Sequence, residues 1–353
     1  MLRPMKPNVP GIKAPIPVTL IGGFLGSGKT SVLNHVLSEN HGVRAAVLVN
    51  DFGAVNIDAK LVVGVEGETI SLANGCICCT IRDDLVAACL GLLQRPETPE
   101  HVLIELSGVS DPVPVLNTFM ETELGALFSL SSTLAVVDAE QFSDELEIAD
   151  DLVRVQIAAA DLVVLNKIDL VAPNELLSIR NQIREMGSGL AIIEVSYGRV
   201  PLELVFDVIT RPFETRGQKA DAKNASQAFN TWNWTCDAPL SLHKLRQVLD
   251  TLPNGVYRAK GFIHLEELPS KRYVLQMVGR RYTLDETGTW GTQRPQSEIV
   301  LIGGRKGIDA HALQSAFDSS IGTGDESDSP LLKLTNLLCE QEKNLAEVNE
   351  NKR

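Results

Sequence analysis

Apolar residues in the first 210 positions come in short unbroken runs rather than in strict alternation. Val18–Ile21, Ala45–Val49, His101–Ile104, Leu134–Val137, Leu162–Leu165 and Ile192–Val195 are such runs, separated by stretches with helical spacing such as Ser31–Leu37 and Arg82–Leu93. Strands that are apolar on both sides need helices on both faces, so this rhythm predicts βαβ units and a mostly parallel sheet. Beyond residue 228 the texture changes. Val256–Leu265, Tyr273–Val278 and Ile299–Ile302 alternate apolar with polar residues, and the order there is strand, helix, strands, helix. A smaller α+β unit is expected, with one face of its sheet covered.

The predicted organisation is a leader at 1–16 with several prolines, an α/β domain at 17–212, a polar linker at 213–227, the α+β domain at 228–320, and an acidic stretch with a tail helix at 321–353. Leucines at 331, 334, 338 and 345 are spaced like heptads, over too few turns to specify a coiled coil. No apolar run approaches a bilayer span, and the leader has no apolar stretch of the signal-peptide type. A formal charge of −13 argues against nucleic acid as a partner, so small molecules, ions and proteins remain, and no membrane is expected. A cytoplasmic location is expected, and the oligomeric state is open.

Gly23-Phe-Leu-Gly26-Ser27-Gly28-Lys29-Thr30 fits G-x-x-x-x-G-K-[ST] between a strand and a helix, the setting a phosphate-binding loop requires. Backbone N–H groups of Gly23, Gly26, Ser27 and Gly28, with the start of the helix at Ser31, should cradle phosphates. Lys29 should reach the β- and γ-phosphates, and the Thr30 hydroxyl should ligate Mg²⁺. Asn166-Lys167-Ile168-Asp169, at the end of a later strand, offers a carboxylate for guanine N1–H and its 2-amino group. If Asp169 forms a buried acceptor, adenine would leave it unpaired, which favours GTP over ATP. Asn166 should brace the loop and the Lys167 stem should lie along the base. Glu105 ends the strand before Gly108, where a carboxylate that orients Mg²⁺ and an N–H that senses a γ-phosphate are expected. Asn50-Asp51-Phe52-Gly53 is a candidate switch segment.

Three of the six cysteines, Cys76, Cys78 and Cys79, fall within four residues after the turn signal Asn74-Gly75. Converging thiolates suit Zn²⁺ or another thiophilic ion, and the absence of a second cysteine pair implies an open fourth position rather than a closed structural site. Asp51 is a candidate fourth ligand. Redox chemistry is the alternative reading, although a bond between adjacent Cys78 and Cys79 would be strained. Cys89, Cys236 and Cys339 read as packing residues, and the six histidines form no paired motif. On the residues alone, the function stays open among a GTP-dependent metal carrier, a phosphoryl-transfer enzyme and a regulatory GTPase with a structural metal.

Taken in order, Gly23–Thr30, Asn74–Cys79, Glu105–Gly108 and Asn166–Asp169 resemble the CobW-type metallochaperone GTPases, relatives of HypB and UreG. Tyr257–Phe262, Gly279–Arg281 and Ile299–Gly303 resemble the CobW C-terminal domain. The resemblance implies a P-loop NTPase fold, GTP and Mg²⁺ as cofactors, and a transferable ion, zinc first, on the cysteine motif. It also implies GTP hydrolysis driving delivery to client metalloproteins, with Lys29, Thr30 and Glu105 serving the hydrolytic step. Two features differ from many relatives. Asp51 stands where glutamate is usual, and no histidine-rich segment is present.

Overall fold

The computed structural model describes residues 2–3, 15–39, 42–49, 69–71, 80–121, 124–187, 189–206, 229–304 and 308–322. The linker, the tail leucines, the candidate switch at 50–53 and the cysteine motif lie outside these residues.

The first part of the chain forms a seven-stranded, wholly parallel sheet. Its strands are β2 (Ile16–Gly22), β3 (Ala45–Val49), β4 (Thr69–Ser71), β5 (His101–Glu105), β6 (Phe128–Asp138), β7 (Leu162–Asn166) and β8 (Ala191–Glu194), in the order β4-β3-β5-β2-β6-β7-β8. Helices α1 (Lys29–Ser38), α2 (Thr80–Leu93), α3 (Val113–Glu121), α4 (Leu124–Leu127), α5 (Phe142–Ala158), α6 (Pro173–Met186) and α7 (Leu202–Val205) connect the strands. Every residue of β5 and β7 is buried, the reason these runs do not alternate. β6 begins six residues earlier than its apolar centre suggests, because Ser129, Ser131 and Ser132 extend it with a register shift opposite Val18 and Thr19.

The second sheet combines β1 (Leu2–Arg3), β9 (Phe229–Cys236), β10 (Val256–Ile263), β11 (Lys271–Val278), β12 (Arg281–Thr289) and β13 (Ser297–Gly304), in the order β1-β12-β11-β10-β13-β9. Its pairs are antiparallel apart from β1 with β12. Helices α8 (Leu242–Thr251) and α9 (Ala310–Ser319) cover one face, where Leu245, Leu249, Leu275, Leu301 and Phe317 form the core.

Tyr257 and Ile302 from this second sheet pack on the apolar cluster of the first. The two sheets also meet where β6 and β7 begin. Arg281 spans the junction, with Nε and Nη2 on Asp161 at 2.7 and 2.6 Å and Nη1 on the Leu130 carbonyl at 3.1 Å. Arg258 Nη1 bonds the carbonyls of Glu203 and Phe206 at 2.9 and 3.0 Å. No described helix is long and apolar enough to cross a membrane.

Candidate functional site

In an open α/β sheet ligands bind outside the carboxyl ends of the strands, and that is where the polar sequence motifs converge. β2 runs into the glycine loop. Gly23 and Gly28 adopt φ of 132° and 98°. These are conformations that side chains avoid, and a Cβ on Gly23 would stand 2.1 Å from the Val136 carbonyl. The loop therefore lies directly on β6, and Gly28 caps α1 in a left-handed conformation. The first turn of α1 carries no acidic residue that would compete for an anion. Ser27 Oγ is fully buried with no protein partner, as expected of a group awaiting an acceptor from a ligand. Lys29, also buried, donates from Nζ to the Phe24 carbonyl at 2.9 Å, so its ammonium is folded over the loop.

Beside the loop, Thr30 Oγ1 donates to Glu105 Oε1 at 2.9 Å, and Glu105 is only 2% exposed. A hydroxyl and a buried carboxylate side by side at the start of α1 are a donor set that fits Mg²⁺. Gly108, three residues on, lies against the glycine loop, and a Cβ there would come within 2.7 Å of the Leu25 nitrogen.

β7 delivers the third segment. Asn166 Nδ2 donates to the Ser27 carbonyl at 3.0 Å and Asn166 Oδ1 accepts the Gly198 N–H at 3.0 Å. Asn166 thus ties the phosphate loop to the turn after β8. Lys167 takes φ 60°, and its Nζ pairs with the buried Asp138 at 2.5 Å. Asp169 is exposed, which corrects the expectation of a buried acceptor: only a bound base would cover it. A hydrogen bond from Ser196 holds its carboxyl below the ordinary range, against a smaller opposing effect of desolvation, with the Tyr197 hydroxyl adding to the lowering. It therefore stays an acceptor.

Several residues here escaped sequence reasoning. Asp138 uses Oδ1 to accept the Glu140 and Gln141 N–H groups just ahead of α5, at 3.0 and 3.3 Å, and Oδ2 to hold Lys167. Ser196-Tyr197-Gly198 stands beside Asn166 and Asp169, with Ser196 and Tyr197 acting on the Asp169 carboxyl and the Gly198 N–H on Asn166. An apolar strand running straight into a small polar turn was the available signal. Tyr197 is 71% exposed with φ 58°, and the Arg199 guanidinium stands 5.8 Å from its ring centre. Glu145 on α5 is buried with Oε1 unpartnered, and its carboxyl is pushed up to about 7, chiefly by burial and then by Asp138.

Ser31, in the first turn of α1, is exposed. Cys76, Cys78, Cys79 and Asp51 lie outside the described residues. Among the described residues no cluster of three or more histidine, cysteine, aspartate or glutamate side chains could hold a metal. Cys89 is buried on α2, with burial pushing its thiol up to about 12, so it does not compete as a thiolate ligand, and the half-buried Cys236 donates from Sγ to the Ala238 carbonyl at 3.6 Å.

A CobW/HypB/UreG nucleotide-binding domain model matches residues 17–194, and a cobalamin synthesis protein cobW C-terminal domain model matches residues 229–321. The zinc chaperone YjiA of Escherichia coli (strain K12) is 30% identical over 305 residues, spanning 82% of this chain and 94% of that protein. The zinc chaperone CobW of a Sinorhizobium species is 27% identical over 347 residues, spanning 87% and 97%. Among solved structures, Zn(II)-bound YjiA GTPase from E. coli aligns over 87% of this chain and 99% of that one, at 24% identity and a TM-score of 0.44. With the glycine loop, the Glu105 strand and the Asn166–Asp169 turn assembled on one edge of the sheet that the first model covers, the chain belongs to the CobW/HypB/UreG family and carries the CobW C-terminal domain.

Proposed function

We propose that this protein is a GTP-hydrolysing zinc chaperone that carries its ion on Cys76, Cys78 and Cys79 and delivers it to client metalloproteins in the cytoplasm. The observation that carries the nucleotide half is the Asn166 side chain, which bonds the phosphate loop with one end and the base-site turn with the other. A single amide thereby sets the distance between the groups that hold phosphate and the carboxylate that reads the base. The relatives' names support the metal half, being zinc chaperones and a zinc-regulated GTPase metalloprotein activator in Dictyostelium discoideum.

In this reading Asp169, kept ionised by Ser196, accepts from guanine, and the Lys167 stem flanks the base. Gly23, Gly26, Ser27 and Gly28 with the start of α1 at Lys29 to Ser31 surround the phosphates, and Lys29 leaves the Phe24 carbonyl to neutralise charge growing on the β–γ bridge. Thr30 and Glu105 would hold Mg²⁺, which when bound neutralises phosphate charge. Gly108 presents its N–H to the γ-phosphate. The nucleotide unit would span 17–212 and the C-terminal unit 228–320, with 213–227 joining them. In sequence the cysteines precede α2 directly and fall between Asp51 and Glu105, so both segments that sense the γ-phosphate flank the metal motif.

The test compares zinc affinity in the GDP state and with a non-hydrolysable GTP analogue, against a competing chelator. A tenfold difference is expected, needing only about 1.4 kcal/mol of coupling. Equal affinities would remove the chaperone cycle. Asp169→Asn should weaken GTP binding and leave one zinc per chain; losing both together would mean that the variant misfolds.

A further inference from the structure

Leu106 to Ser110, which follows the buried Glu105, is held from three sides. The Leu106 N–H bonds the Ile21 carbonyl of β2 at 2.9 Å, and the Ser110 N–H bonds the Ser107 carbonyl at 3.0 Å, closing a turn. Gly108 lies on the phosphate loop at Leu25. The third hold comes from α5. Gln156, 4% exposed, donates from Nε2 to the Gly108 carbonyl at 3.2 Å and to the Ser110 carbonyl at 3.0 Å. A primary amide nitrogen carries two hydrogens, so both donors of Gln156 are spent on this one turn.

The segment leading into α5 lies at the same nucleotide edge. Just ahead of the helix's first residue, Asp138 Oδ1 accepts the Glu140 N–H at 3.0 Å, and the other oxygen holds Lys167 of the base-reading turn. The segment leading into this helix thus contacts the base-reading turn through Asp138, and the last turn of the helix contacts the γ-phosphate segment through Gln156. Gly108 lacks a side chain and has wide freedom in φ and ψ, so the direction of its N–H depends on what fixes the neighbouring peptides. Gln156 fixes the peptide on its carbonyl side and the one two residues later.

We propose that Gln156 is a positioning residue for GTP hydrolysis: its amide holds the Gly108 and Ser110 carbonyls so that the Gly108 N–H is aimed at the γ-phosphate. The proposal rests on the reading of the site as a GTPase. It predicts a selective defect, because GDP has no γ-phosphate for Gly108 to meet. A purely structural glutamine would lower stability and weaken both nucleotides alike.

The experiment uses the full chain with Gln156→Ala and Gln156→Met, the second keeping the volume while removing both donors. Steady-state GTP hydrolysis and the affinities for GDP and a non-hydrolysable GTP analogue are measured for each. Both variants should lose about tenfold or more in kcat and about tenfold in analogue affinity, with GDP affinity within about twofold of the parent. If the alanine variant fails to fold, the methionine variant still decides. Parental kcat and an unchanged analogue-to-GDP ratio in Gln156→Met would overturn the proposal, as would equal losses for both nucleotides. A parent chain that binds no guanine nucleotide would instead overturn the GTPase reading, and the proposal with it.

Discussion

β6 and β7 begin at one polar junction and end at another, and the two are completed differently. Where the strands begin, Arg281 has all three guanidinium nitrogens bonded, two to Asp161 and the third to the Leu130 carbonyl, while Asp161 also accepts the Thr133 N–H at 2.8 Å. Where they end, Ser27 Oγ, Ser110 Oγ and Glu145 Oε1 are buried without a protein partner. Burying a polar group without a hydrogen bond costs stability, so a fold keeps such groups where something else is gained. At the first junction Arg281 and Asp161 spend their polar atoms on joining two sheets, although the buried Ser132 Oγ beside them on β6 also lacks a protein partner. At the second, three polar groups stay without a protein partner.

If that distinction holds, the two ends should respond to mutation in opposite ways. Lys29→Ala removes a buried ammonium that bonds the Phe24 carbonyl and faces the nucleotide end. GTP hydrolysis should fall by about 10²–10³-fold, while the melting temperature measured by calorimetry stays within about 2 °C of the parent. Asp161→Ala should do the reverse. It leaves Arg281 without its carboxylate, and because the Arg281 side chain is 38% exposed, solvent recovers part of the loss. A destabilisation of about 2 kcal/mol in urea unfolding is expected, with GDP affinity within about twofold. If nucleotide affinity falls along with stability, the two ends are energetically linked and the distinction fails.

Much of the first sheet could be read from sequence because its strands are buried on both sides. Ala45–Val49 has the predicted bounds, since nothing polar interrupts a strand packed between helices. The glycine loop was legible because only glycine serves at such φ values. β12 was not. Leu284 is its one buried residue, and Arg281-Tyr-Thr, Asp285-Glu and the threonines near its end carry no apolar strand pattern, so β11 defines the strand through seven pairs. The site shows the same division. Lys29, Asn166 and Asp169 belong to contiguous motifs, whereas Asp138, Gln156 and Ser196 acquire roles only across the fold. Gln156 in particular sits in a helix amid Asp150, Asp151 and Arg154, where a glutamine looks like ordinary surface. Burial against the 108–110 turn is a tertiary fact.

The smallest expected effect concerns the least satisfied group at the nucleotide end. The Glu145 carboxyl is pushed up to about 7 by burial first and by Asp138 second, with Lys29 and Lys167 acting the other way. Its folded value lies above its unfolded value, so folding takes up a proton between the two. The cost of burying the charged form is therefore absent below about pH 4.5, grows as pH rises, and is fully present above about pH 7. Glutamine has the same shape and no titration. Glu145→Gln, unfolded in urea without nucleotide, should match the parent near the acidic limit and exceed it by about 1–2 kcal/mol at about pH 8. A stability difference that stays flat with pH would mean that Glu145 titrates alike in the folded and unfolded chain, its burial offset by Lys29 and Lys167. The nucleotide end would then be as fully satisfied at this position as the arginine junction is at the other.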